Sequence, residues 1–466
     1  MSATILEERG YFWWDDHDLP EDQLIPNSSI VGLLRINEQG RIELELDGVI
    51  SGVNNVPTIF TGVDIKDRCI RGLLIKESMQ VQLFGIIING GSLMGGGVSN
   101  EKYIAEICLI GDSKPTLKFK LLNIELHNLN DWFRLQSITC KRTRNNITIT
   151  HKRKKGIYYK MTDSAVTIRH NIYGPQIGTY SLDNLSLRES VSITYKTSKN
   201  KSIEEMIALH KLLEDFFMIL TDIGSGLEWP KVALTRNSPQ FTCYYSRGKK
   251  PIEKFEWRRS PTNFIQIKDN FGSLLDCWKI KNDTYGPAIN LYLGTRGGKD
   301  LYVEHRFVNL IWGLESLHRR KNSDFKSATP LVAKVNRILD CISSKDDKKW
   351  LSKKLEHAGE PSLAERIRAV LESLELDFDQ NNLRAFSDKC AMFRNDISHY
   401  GELRHGSSYK ENILEIHKIN QLLIKLYHAI LLKEIGITGD ILKAWISNNH
   451  EISTYLITFG FTIKHD

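Results

Sequence analysis

The sequence has no long apolar run: its most hydrophobic stretches, such as Phe84 to Ile88, fall far short of the roughly 20 residues a membrane-spanning helix needs. The segment from Met1 to Asp18 holds acidic residues and Trp13-Trp14 where an export signal requires a basic start and an apolar core. The seven cysteines (Cys69, Cys108, Cys140, Cys243, Cys277, Cys341, Cys390) are scattered and odd in number. Without a Cys-x-x-Cys pair or a Cys/His ligand spacing they suggest neither a disulfide framework nor a zinc site, and no metal or other cofactor is expected. Charge of one sign is not in large excess, since 63 Lys and Arg against 56 Asp and Glu leave a net +7. That balance does not by itself demand a polyanionic partner. Repeats and low-complexity tracts are absent. Reduced thiols, no export signal and no membrane partner together suggest the cytoplasm.

What is present is a globular composition, with 41% hydrophobic and 26% charged residues in a chain of 466, long enough for two or three domains. From Ser29 to about Ser198, short segments rich in Val, Ile, Thr, Tyr and Phe alternate with turn residues. Ile30–Ile36, Arg41–Leu46, Gln80–Asn89, Tyr103–Ile110, Leu117–Leu126, Ala165–Arg169 and Val191–Lys196 are among the expected strands of a sandwich or barrel-like sheet. Asn89 to Gly97, which lacks the Gly-Lys-Ser/Thr ending of a phosphate loop, suggests a hairpin loop between strands. Ser202-Ile-Glu-Glu205 is a capping box, and Met206, Leu209, Leu213, Phe216, Phe217 and Leu220 continue it as one apolar helix face. The mixed stretch from Gly224 to Gly298 suggests the tail of the first domain. From about Asp300 onward at least five helices are expected, among them Tyr302–Arg320, Leu363–Leu374, Asn382–Tyr400 and Lys410–Ile435. The order predicts an α+β multidomain chain: a β-rich antiparallel N-terminal domain over 1–298, with a helix near 202–220, then an all-α helical bundle over 299–466.

Chemistry concentrates in Cys390-Ala-Met-Phe-Arg-Asn-Asp-Ile-Ser-His-Tyr-Gly401. Phe386, Cys390, Phe393 and Ile397 follow helical spacing as a buried stripe, leaving Arg394, Asn395, Ser398 and His399 on other faces. Asn395 and His399 are four apart and so adjacent, whereas Arg394 and His399 are five apart, about 140° around one helix. Two such helices meeting at a symmetry axis would bring both kinds of side chain to one cleft. Arginine offers a donor fork for phosphate, and histidine is the acid or base of neutral pH. Each residue also has a plainer use: His399-Tyr400-Gly401 suits a helix C-terminus, and Arg394 can pair with a surface carboxylate. Glu315, set among Leu310, Ile311, Trp312, Leu314 and Leu317, needs a partner if buried, and Arg394 is a candidate.

Arg394-Asn-x-x-x-His399 near the end of a late helix resembles the signature of HEPN ribonucleases. Arg306-Phe-Val-Asn-Leu-Ile-Trp-Gly-Leu-Glu-Ser-Leu-His-Arg319 is similar to the first helix of the HEPN branch found in ApeA-type phage-defence proteins, and Leu423 to Ile437 to that branch's closing helix. Gly10-Tyr-Phe-Trp-Trp14, Ile30-Val-Gly-Leu-Leu34 and Arg41-Ile-Glu-Leu-Glu-Leu-Asp-Gly48 resemble the opening of the ApeA N-terminal domain. The resemblance implies a metal-independent endoribonuclease acting in antiviral abortive infection. Its catalytic set would be Arg394, Asn395 and His399, supported by Glu315, in a homodimer or higher even oligomer. It also implies a phage-derived protein trigger acting on the N-terminal domain. Candidate RNA-binding cations are Lys141, Arg142, Arg144, Lys152, Arg153, Lys154 and Lys155, with Arg319 and Arg320, although such runs also occur as solvated hairpin tips. The alternative is a non-catalytic HEPN module for dimerisation or nucleotide binding, joined to a ligand-binding β-sandwich.

Overall fold

A computed structural model describes the chain except residues 1–2, 17–23, 51–56, 62–64, 66–67, 95–97, 115–116, 136, 153, 175–186, 225, 249–254, 297–300, 323–328, 356–358, 377, 401–408 and 462–466, and except the side chains at 61, 94, 98, 329–331, 399, 400 and 409. The chain divides into two compact units: 1–218 with 223–257 and 263–273, and 219–222 with 258–262 and 274–466.

The first unit is antiparallel β structure. β1 (Thr4–Trp14), β2 (Ile30–Asn37), β3 (Ile42–Leu46), β4 (Ile70–Leu74), β5 (Gln80–Met94) and β6 (Val98–Gly111) form a ring. The pairing order is β6-β3-β2-β1-β4-β5, and β5 then pairs back onto β6, closing a six-stranded barrel. Strict alternation drives the closure: β2 buries Leu34 and Ile36 and β3 buries Ile42, Leu44 and Leu46, each inside the barrel with Phe12, Trp14 and Leu83. Side chains two residues apart share a face, so one apolar set per strand fills the interior. The glycine-rich run departs from the expected loop. Gly90 pairs with Lys102, Gly91 with Glu101 and Ser92 with Asn100, so β5 runs on to Met94. Gly90 takes φ 141° at an irregularity in the register, a conformation that suits glycine.

β6 is long enough to serve two partners on one edge. Ile42–Leu46 pairs with its first half, and β14 (Phe241–Tyr245) with Ile107–Ile110. From there the sheet continues through β13 (Lys231–Ala233), β7 (Phe119–Glu125), β12 (Arg188–Lys201), β11 (Ser164–Tyr173) and β10 (Ile157–Lys160). β8 (Ile138–Arg142) and β9 (Ile147–His151) form a separate two-stranded hairpin. Helix α1 (Ile203–Thr221) begins behind Ser202, whose Oγ accepts from Glu205 N–H while the Glu205 carboxylate accepts from Ser202 N–H.

The second unit is helical: most of α2 (Phe271–Arg296), then α3 (Val303–Lys321), α4 (Thr329–Asp340), α5 (Lys345–Leu355), α6 (Leu363–Glu372), α7 (Gln380–Tyr400), α8 (Tyr409–Glu434), α9 (Gly439–Asn448) and α10 (His450–Thr458). Helix α2 was not expected, because Gly286, Pro287 and Gly294 fall inside it. It holds because Trp278, Ala288, Ile289 and Tyr292 are fully buried, and tertiary packing outweighs weak local propensity. The second half of helix α8 is covered on nearly every side, with Leu422, Leu426, Tyr427, Ile430 and Leu431 buried, as befits the centre of a bundle. Gly313 of α3 lies under the Tyr427 ring, where a Cβ would stand 2.8 Å from it, so only glycine allows this approach.

Behind α8 a buried charge cluster fastens the segment 219–222. Asp222 receives Arg296 Nη2 at 2.7 Å and pairs with Lys425. His428 Nε2 donates to Ile219 O at 2.7 Å and its Nδ1 accepts the Tyr292 hydroxyl at 2.6 Å, the pattern of a neutral imidazole. Burial first, opposed by Asp222 and reinforced by Arg296 and Lys425, pushes the His428 pKa down to about 4.

Candidate functional site

Helices α3, α6 and α7 of the second unit assemble the motif. On α7 the apolar stripe is formed by Leu383, Phe386, Cys390 and Phe393, all at most 3% exposed. Phe393 meets Phe307 of α3 with ring centroids 6.4 Å apart, which fixes how α7 lies on α3. The next residue is Arg394, and its side chain therefore turns along the same α3 surface toward Glu315.

Arg394 Nη2 donates to Glu315 Oε2 at 3.4 Å, and both side chains are mostly buried. Arg394 Nη1 donates to Asn395 Oδ1 at 2.9 Å, which leaves the Asn395 amide nitrogen for other use. Glu315 also receives Arg319 at 3.2 Å, Arg319 Nη1 reaches Glu360 Oε2 at 2.8 Å, and Glu360 is held in turn by Arg366. Two carboxylates are thus bracketed by three guanidiniums. Such alternation stiffens each long side chain, and it leaves one positive charge in excess over the cluster.

Of the expected site residues, the structure brings Arg394, Asn395, Glu315 and Arg319 together. Arg320, exposed in the last turn of α3, donates instead to Thr284 O at 2.9 Å. His399 lies in the last turn of α7, and its side chain lies outside the described residues. Lys141, Arg142, Arg144, Lys152, Lys154 and Lys155 are exposed on or beside the β8/β9 hairpin of the first unit, and Arg153 is outside the described residues. Among the described residues, no group of three or more His, Cys, Asp or Glu side chains is arranged to hold a metal ion.

Three features were not anticipated. Ile397 is half-buried, and Asp396 takes the fully covered place at 6% exposure, with an Oδ2 that meets no hydrogen-bond donor. A carboxylate inside the Arg394-to-His399 motif reads as a surface group, so periodicity gives no hint of this. Glu360 joins the ion-pair chain from just before the α6 capping box, where only the fold brings it to Arg319. His318 lies beside these arginines, and burial, then Arg366 and Arg319, hold its pKa below the ordinary imidazole value.

Residues 7–278 match the family model of the ApeA N-terminal domain 1, and residues 308–441 match that of the Apea-like HEPN domain. The chain belongs to the ApeA family. An ApeA N-terminal domain ahead of a HEPN domain is the build of a ribonuclease-type effector of abortive infection. Within this ApeA chain the HEPN match begins inside α3 and ends inside α9, so it takes in Glu315 and the whole of α7. No curated protein and no solved structure matches the chain. Among the described residues no helix is long and apolar enough to cross a membrane.

Proposed function

We propose that this ApeA-family chain is an endoribonuclease that needs no metal and cuts RNA at a cleft built by two copies of its HEPN domain. The observation that carries the reading is the Arg394 guanidinium. It is braced by Glu315 and by Asn395, which lies one turn before His399 on the same helix. RNA brings its own nucleophile in the 2′-hydroxyl. The enzyme has to remove that proton, stabilise charge at phosphorus and protonate the departing 5′-oxygen. His399 serves as acid or base, Arg394 binds the phosphoryl oxygens, and Asn395 positions one of these groups. Glu315 holds Arg394 and does no chemistry. With His399 from two copies, one imidazole takes a proton as the other gives one.

The exposed cations of the β8/β9 hairpin and Arg319 suit the RNA backbone, and the N-terminal unit suits a phage-derived protein trigger acting in the cytoplasm. The test is cleavage of single-stranded RNA by the purified full chain in the presence of EDTA, with His399→Ala alongside. Wild type should release 2′,3′-cyclic phosphate ends and the variant none. Cleavage by the variant at the wild-type rate would reassign the HEPN domain to a non-catalytic dimerisation or nucleotide-binding module.

A further inference from the structure

A cavity of about 470 Å³ in the first unit lies on one face of the continuous sheet, and its floor is set by strand register. Thr194 on β12 stands opposite Asn123 on β7, Asn123 opposite Lys231 on β13, and Lys231 opposite Thr242 on β14. One pleat along, Arg169 on β11 stands opposite Ser192, and Ser192 opposite Glu125. Residues directly opposite one another across a strand pair share a face. Their alternating neighbours Ile124, Ile193, Val232 and Phe241 are buried on the other side. Five strands therefore contribute amides, hydroxyls and charges to one concave floor.

The floor is partly organised already. Asn171 Nδ2 donates to Ser192 Oγ at 2.9 Å, and Glu125 holds His127 Nε2 at 2.8 Å. Trp229 lines the wall, and the Arg247 guanidinium lies 3.5 Å from its ring centre. Arg247 is itself tied to Leu227 O at 2.6 Å, so the indole is fixed before any ligand arrives. Tyr244 packs against it at 5.2 Å.

The charges lining the cavity balance, Arg169 and Lys231 against Glu125 and Glu228. A polyanion would meet repulsion as well as attraction there. The neutral groups are paired donors and acceptors, and a fixed aromatic ring offers a surface for C–H groups. A molecule with vicinal hydroxyls on one edge and an apolar C–H face satisfies both. We infer that this cavity binds a neutral saccharide, giving the N-terminal unit a small-molecule site that is independent of RNA cleavage.

The test applies fluorescently labelled full-length chain to an array of neutral mono- and oligosaccharides. The strongest ligand is then titrated calorimetrically against wild type, Asn123→Ala and Trp229→Phe, with melting curves to show that each variant is folded. The expected result is saccharide binding weakened about tenfold or more by Asn123→Ala, and less by Trp229→Phe, which keeps an aromatic ring. The inference is overturned if no saccharide on the array binds, or if binding is unchanged in a folded Asn123→Ala. It is also overturned if a nucleotide or peptide, and no saccharide, binds in a manner that Asn123→Ala abolishes.

Discussion

Arg394 and Glu315 are 79 residues apart in the chain and meet with Nη2 3.4 Å from Oε2, which ties the motif helix to the first helix of the HEPN domain. Glu315→Gln keeps the shape and an acceptor but removes the charge that pins the guanidinium. Cleavage should fall about 10- to 100-fold, matching the roughly 1.5–3 kcal/mol of a charged hydrogen bond. The loss should lie mainly in kcat, with dimer mass unchanged. Full activity in a folded Glu315→Gln would show that Arg394 needs no brace.

Phe393 and Arg394 are neighbours with opposite duties. Phe393 is 3% exposed and faces Phe307, so Phe393→Ala should destabilise the fold by about 3–5 kcal/mol through its cavity. Arg394 gives up an ion pair that Glu315 partly replaces with Arg319, so Arg394→Ala should cost only about 1 kcal/mol while abolishing cleavage. Melting temperature and RNA cleavage measured on both proteins separate the two roles. An Arg394→Ala protein that unfolds as readily as Phe393→Ala would make the arginine structural.

Much of this was legible in the sequence where periodicity and burial agree. Alternation marked β2 and β3, and the stripe through Phe386, Cys390 and Phe393 marked α7, because each follows from one face meeting one core. The ring closure of β5 on β6 was not, since pairing between strands leaves no trace in either strand's own pattern. Helix α2 was hidden by Pro287 and two glycines that its buried aromatic residues override. In the candidate site, Arg394 and its partner Glu315 could be named because a carboxylate among leucines asks for a cation. Glu360 and Asp396 could not, as polar residues at unremarkable spacing.

The second unit should lose stability in mild acid. The folded pKa of His428 lies at about 4, below the ordinary 6.5, because burial and two nearby cations outweigh Asp222. Between these values the unfolded chain binds a proton that the folded chain refuses, so the stabilising contribution is intact above about pH 6.5 and is lost as pH falls toward 4. The Asp222 pKa is lowered to about 2, the cost of its burial being outweighed by Arg296, His428 and Lys425, so its own loss follows only below the ordinary aspartate value of 3.8. Urea unfolding followed from pH 7 to 4.5 should show a falling midpoint, and His428→Gln should flatten that slope. A slope equal to wild type in His428→Gln would assign the acid sensitivity to other groups.

The last prediction concerns assembly. Arg394 and His399 are separated by about 140° on one helix, so a single α7 does not aim both at the same phosphate, and two antiparallel copies crossing near Ser398 would. Ser398 is exposed on that helix. A Ser398→Cys variant, in a background where the exposed Cys140 and Cys341 are replaced by serine, should form a disulfide-linked dimer under mild oxidation. Engineered thiols bridge only when their Cα atoms come within about 7 Å, so the bond reports close approach of the two helices. Reduction should restore the starting activity. A protein that is monomeric at working concentration, or a dimer that never joins through position 398, would remove the composite cleft and leave His399 and Arg394 to act, if at all, within one chain.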